Sequence, residues 1–319
     1  MSEITAPNSP NLRPKTNTSK LERIALSPFD YFLFFVTVLA WSGSWYALKL
    51  QVGLVPVQVS LFWRYALAAM IMMVWVVVTR APMRFSLVAH TKFLLMGALM
   101  FCINFALFYN ASIYLASGLL SVVFSLASIF NIIIAILFLG LKPGVNVIIG
   151  ALLGFIGIGM MFWPVVASQS FDTAAFFGLG LCIAGTLSFC TGNLISATLQ
   201  KSKVPVVSAS AWGMTYGAGL GALIAFAQGH EFIIDWSPSY IGSLVFLAIV
   251  SSVIAFAAYL TLLGRIGADR AGYATVLFPV IALLISTIME DYRMSLLAIA
   301  GLAMVLLGNV FVLGKKRKT

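Results

Sequence analysis

The chain has 319 residues, 61% of them hydrophobic and only 9% charged, with a mean hydropathy of +1.05. A water-soluble domain carries about 25% charged residues, so the composition excludes one and points to a polytopic membrane protein. The net charge of +10 invites a nucleic-acid reading, which the placement of the charges excludes below.

Residues 1–28 are rich in Pro, Asn, Ser, Thr and Lys and read as a disordered cytoplasmic tail, without the short apolar core of a signal peptide. Ten apolar segments follow, at about 29–50, 57–79, 93–110, 119–139, 145–166, 174–199, 206–228, 239–262, 271–289 and 294–313. Each is near the ~20 residues that a spanning helix needs. Backbone polar groups in lipid must be satisfied within the segment, so runs this long read as helices. The three cysteines, Cys102, Cys182 and Cys190, lie inside apolar segments at no disulfide or metal spacing.

With the N-terminus inside and ten helices alternating, 16 of the 19 basic residues fall on the cytoplasmic side, from Arg13 to Lys318. The opposite side holds Lys49 and Arg293, and Arg64 lies within a helix. This positive-inside pattern makes the basic excess topological, leaves no case for nucleic acid, and puts both termini in the cytoplasm. Residues 315–319 form a basic tail that stops the last helix.

An internal repeat follows. Val55-Pro56-Val57 with Trp63 recurs as Val204-Pro205-Val206 with Trp212, and Gly150 and Gly157 recur as Gly301 and Gly308. The expected fold class is an all-α membrane protein of ten transmembrane helices arranged as two five-helix repeats, 29–166 and 174–314. Five is odd, so the second copy enters from the opposite side, an inverted repeat with a site near mid-membrane.

Trp41-Ser-Gly-Ser-Trp45-Tyr46-Ala-Leu-Lys49, Pro56 and Arg64 resemble the opening of the drug/metabolite transporter superfamily, EamA branch. Its pattern reads Trp-Gly-small-aromatic, then Lys, Pro and Arg. Pro279 followed by Glu290 matches the family in the second half. Within the branch the chain most resembles the YddG-type aromatic amino-acid exporters of bacterial inner membranes. The halves have diverged: Ser128 stands opposite Pro279, Gly213 opposite Arg64, and Gly140 and Lys142 where an acid is expected. The resemblance implies a secondary transporter exporting aromatic and other neutral amino acids by alternating access. A drug or other metabolite exporter is the alternative, and a non-transporting membrane enzyme or scaffold a more distant one.

Polar and aromatic residues inside the segments nominate a substrate site: Trp41, Ser44, Trp45, Asn104, Tyr109, Ser121, Trp212, Tyr216, Tyr259 and Tyr273. Aromatic faces stack on a solute while a few amides and hydroxyls orient it. Small polar residues equally serve close helix packing, and the serines admit both readings. Arg64 costs at least ~2.5–3.5 kcal/mol at the centre of a membrane, so it either holds a substrate carboxylate or fixes its helix as a structural charge. Lys49, Pro279 and Glu290 are candidate gate residues. The glycine stripes Gly213, Gly217, Gly221 and Gly150, Gly154 suit packing within a monomer, or a dimer contact.

The chain shows no nucleotide loop, paired carboxylates or metal-ligand spacing, so no enzyme activity, catalytic residue, metal or cofactor is expected. The partners are amino acids and the lipid bilayer. His90 and His230 read as solvated loop residues. With every acid in a tail, loop or helix end, export driven by the substrate gradient without obligatory ion coupling is the simplest mechanism.

Overall fold

The computed structural model describes residues 26–139, 145–167, 173–266 and 273–313. The terminal tails, and the loops that hold Lys142, Asp172 and Arg270, lie outside the described residues. Among those described, every regular element is a helix, and the helices follow the ten expected segments in order.

α1 (Pro28–Lys49) and α2 (Val57–Val78) are followed by α3 (Leu87–Ala111), whose middle stretch Gly97–Ile103 winds as a π-helix. α4 (117–139) is broken at Leu126 into Ser117–Ser125 and Ala127–Leu139. Next come α5 (Val145–Ala167), α6 (Thr173–Lys201) and α7 (Val206–Ala227). α8 (238–266) contains a second π stretch, Phe246–Ile254, and α9 (Tyr273–Met289) carries Pro279 inside it. α10 is Leu296–Leu313.

Among the described residues, six helices are long and apolar enough to cross a bilayer: α1, α2, α3, α6, Val145–Trp163 of α5 and Pro238–Tyr259 of α8. Of the four remaining expected spans, α10 is a shorter apolar helix over Leu296–Phe311 and the other three depart from that standard for local reasons. α4 is interrupted, α9 has 17 residues, and α7 is diluted by Ser208, Ser210 and four glycines.

The helix starts follow from local chemistry. Ser27 and Asp30 form a reciprocal capping box, with Pro28 in the first turn, which satisfies orphan backbone donors. Pro56 and Pro205 stand at the N-caps of α2 and α7. Ser86 caps α3 through the Ala89 amide, and Ser237 caps α8 through the Tyr240 amide. The Ser86 cap starts α3 six residues earlier than the sequence reading placed it, which brings His90 and Lys92 into the helix. α2 and α7 also end alike, in a left-handed residue: Arg80 at φ 53° and Gly229 at φ 73°.

Glycine brings several helices to backbone contact. A Cβ on Gly157 would lie 2.5 Å from the Gly301 carbonyl oxygen, and one on Gly308 would lie 2.5 Å from that of Gly150. The pairing of 150 with 308 and 157 with 301 makes α5 and α10 antiparallel. α7 crosses α2 where Gly221 approaches Gln58 and Phe62, and meets α3 where a Cβ on Gly213 would strike Met96 and Phe101. Both glycine stripes are therefore used inside the chain. α1 packs between α8 and α9, and α6 between α3 and α4.

Candidate functional site

α1 supplies the centre. Trp41 and Trp45 lie one turn apart and meet a ring cluster drawn from five other helices. The Trp41 ring is 5.2 Å from Tyr259 of α8 and 6.5 Å from Phe278 of α9. Trp45 packs on Phe108 of α3 at 5.0 Å, Phe124 of α4 at 5.3 Å and Phe278 at 6.4 Å. Phe124 also touches Phe189 of α6 at 4.8 Å. These distances are the offset and edge-to-face contacts that aromatic pairs prefer. Trp45 is 6% exposed and Phe108 fully buried, so the rings close on one another in this conformation.

The polar candidates divide. Ser44 donates to the Trp41 carbonyl at 2.7 Å, and Ser121 to the Gly118 carbonyl at 2.5 Å. Both bonds stay within their own helices, as packing serines do. Asn104 is buried and donates to the Met100 carbonyl at 3.3 Å, while its Oδ1 has no partner. Tyr109 is buried with its hydroxyl unbonded. The Tyr273 side chain lies outside the described residues.

Trp212 and Tyr216 form a second cluster, apart from the first. Tyr216 Oη lies 2.9 Å from His90 Nδ1, and Trp212 Nε1 donates to the Met83 carbonyl at 3.2 Å. The His90 ring stands edge-on to Trp212 at 4.7 Å. The reading of His90 as a solvated loop residue is thus corrected, because the Ser86 cap places it in the first turns of α3 against α7.

Arg64 is 2% exposed. Its guanidinium carbon sits 4.2 Å from the Phe105 ring centroid and 5.0 Å from that of Tyr65. Nη2 reaches Ser252 Oγ of α8 at 3.4 Å, and Nε and Nη1 have no partner. The buried Tyr109 hydroxyl, on α3 like Phe105, has no hydrogen-bond partner.

Ion pairs tie down both ends of α1. Lys49 Nζ lies 2.9 Å from Glu290, which follows α9. The Glu290 carboxylate also accepts the Ser117 amide at 3.0 Å and the Ser117 hydroxyl, so it caps the start of α4. At the other end Arg265 of α8 donates to Asp30 at 2.5 Å. Between them, Ser42 of α1 donates to the Phe278 carbonyl at 3.1 Å, beside Pro279.

Phe108, Phe124, Phe189 and Phe278 are the cluster members absent from the substrate site that the sequence nominates. Among 25 phenylalanines a phenyl ring at helical spacing carries no signal of its own. Phe278 alone had a pointer, its place directly before Pro279.

The EamA-like transporter family model matches residues 29–163 and residues 173–314. The chain belongs to that family. It is a multi-pass membrane protein of the transporter class. Among similar proteins, an uncharacterized transporter of Archaeoglobus fulgidus is 27% identical over 64% of this chain and 70% of its own. The uncharacterized transporter YoaV of Bacillus subtilis is 22% identical, covering 88% of this chain and 96% of itself. A probable amino-acid metabolite efflux pump of Escherichia coli is 24% identical over 90% and 96%. A solved crystal structure, 16% identical, superposes with a TM-score of 0.63 over 88% of this chain and 95% of the other, a likeness of fold alone.

Proposed function

We propose that this EamA transporter is a secondary exporter of aromatic and other neutral amino acids, working by alternating access in a bacterial inner membrane. The observation that carries the reading is the aromatic cluster. Trp41, Trp45, Phe108 and Phe124 from residues 29–163 meet Phe189, Tyr259 and Phe278 from residues 173–314. Stacking surfaces contributed from both matched regions suit an apolar or aromatic side chain that the halves grip and release. The Escherichia coli relative, a probable amino-acid metabolite efflux pump, points the same way.

The two halves are inverted copies with both termini cytoplasmic. In support, the proline caps Pro56 and Pro205, the left-handed ends Arg80 and Gly229, and the π-stretch starts Gly97 and Phe246 are each 149 residues apart. Gly157 corresponds to Gly308 and Gly150 to Gly301, so the 2.5 Å approaches of Gly157 to Gly301 and of Gly308 to Gly150 are one contact in two copies. Corresponding helices that pack antiparallel are what a two-fold axis in the membrane plane produces. Reporter fusions after Asp172 and after Lys203 are expected on opposite sides; the same side for both removes the inversion.

No ion is obligatorily coupled. The acids of the described residues lie at helix ends and loops, and the aromatic cluster contains no group that titrates near neutral pH. Proteoliposomes loaded with labelled phenylalanine should release it with no imposed pH or sodium gradient. Uphill movement driven by an imposed proton gradient would refute the uncoupled mechanism, and no movement of any amino acid would refute the substrate class.

A further inference from the structure

We infer that Arg64 is the fixed cation of an anion subsite that takes the carboxylate of the transported solute, a reading that rests on the exporter function above. A buried cation is normally paired or fully hydrogen-bonded. Arg64, buried between α2, α3 and α8, is neither. Its contact to Ser252 is long at 3.4 Å, and Nε and Nη1 have no acceptor. The faces of Phe105 and Tyr65 offset part of the charge, but a ring face offers no lone pair to an N–H donor.

No protein acid is free to fill the gap among the described residues. Asp30 is held by Arg265, and Glu290 by Lys49 and Ser117. Asp235 accepts the Ser237 amide, and Glu231 and Asp291 are exposed. No carboxylate among the described residues therefore serves as the acceptor, and that place falls to the solute.

Its chemistry follows from the walls. One guanidinium offers a planar fork of donors, the shape a carboxylate fits with two parallel bonds. A single cation beside two aromatic faces matches one negative charge better than the two of a phosphate. The buried Tyr109 hydroxyl, unbonded, is a further donor on α3, the helix whose Phe105 ring covers the guanidinium. The subsite also shares its helices with the aromatic cluster. Tyr109 directly follows Phe108 on α3, and Ser252 precedes Tyr259 by two turns on α8. An amino acid held by its carboxylate at Arg64 is thereby positioned to lay its side chain toward Trp41 and Trp45.

The test uses the full chain in liposomes, with phenylalanine, phenylalanine amide and phenylacetate competing against labelled phenylalanine. The native protein should prefer the acid to the amide by about tenfold or more, the worth of a charge-assisted bond. Arg64→Gln should bring the two within about twofold, and Arg64→Lys should retain part of the preference. Tyr109→Phe and Ser252→Ala, which keep the cation, should each narrow it by about threefold. A preference that survives Arg64→Gln overturns the inference, as does an equal loss of acid and amide in a folded Arg64→Gln protein. Should Arg64→Gln not fold, an unchanged preference in both Tyr109→Phe and Ser252→Ala overturns it. For a native protein that moves no amino acid, labelled phenylacetate binding decides. If that binding depends on Arg64, the anion subsite stands while amino-acid export falls.

Discussion

Glu290→Gln removes one negative charge at the junction of α1, α4 and α9 while keeping the side chain's size. The carboxylate receives Lys49 Nζ at 2.9 Å, the Ser117 amide at 3.0 Å and the Ser117 hydroxyl. The Lys49 side chain is 36% exposed, so the ion pair is partly screened and contributes about 1 kcal/mol or less. Each bond from Ser117 drops from a charge-assisted one, about 1.5–3 kcal/mol, to a neutral one near 1 kcal/mol. The summed loss spans about 1–5 kcal/mol with a midpoint near 3 kcal/mol, or roughly 150-fold in the equilibrium for opening this end of the bundle. Amide hydrogen exchange at Ser117 reads that opening directly, because this amide donates to Glu290. Exchange should accelerate by that factor in Glu290→Gln and by about fivefold in Lys49→Gln. The double variant should be no worse than Glu290→Gln, since the pair is already gone. Asp291→Asn is the control, losing the same charge one residue later from an exposed side chain. Unchanged Ser117 exchange in Glu290→Gln, or equal acceleration in Asp291→Asn, would refute the clamp.

Trp45→Ala deletes a ring held by Phe108, Phe124 and Phe278, at a cost of about 3–5 kcal/mol. Thermal melting in detergent should show a large drop, with Trp45→Phe recovering most of it. Trp41, half-buried at the edge of the cluster, contributes stacking worth about 0.5–1.5 kcal/mol. Its Ala variant should bind phenylalanine about fivefold more weakly with little loss of stability. Trp212→Ala, in the separate His90 cluster, should leave that affinity unchanged. Gly301→Ala forces a methyl to within 2.5 Å of the Gly157 carbonyl and should cost about 1–3 kcal/mol in melting experiments. Gly159→Ala, with open space at the Cβ position, should be neutral.

Composition alone determined the membrane class, because 61% hydrophobic residues cannot be hidden in a soluble domain of this size. Helix number and order were equally legible, since each segment must satisfy its own backbone in lipid. The proposed repeat starts from pairs visible in the sequence, Pro56 with Pro205 and Gly157 with Gly308. These residues cap helices or set backbone approach, so their identities carry their roles. The Lys49 and Glu290 charges were visible as candidates, but their pairing across 241 positions was not.

Which aromatic residues meet was decided by the fold. Trp41 and Trp212 look alike in sequence, yet one faces Tyr259 and the other His90, because α7 lies against α2 and α3 rather than against α1. Phe124, Phe189 and Phe278 came into the cluster only through helix packing, since an apolar ring in an apolar helix looks the same whether it faces lipid or a neighbour. Arg64 shows the same division. Sequence placed a costly charge inside a membrane helix, and only the packing of α2, α3 and α8 around it left two of its donors without an acceptor.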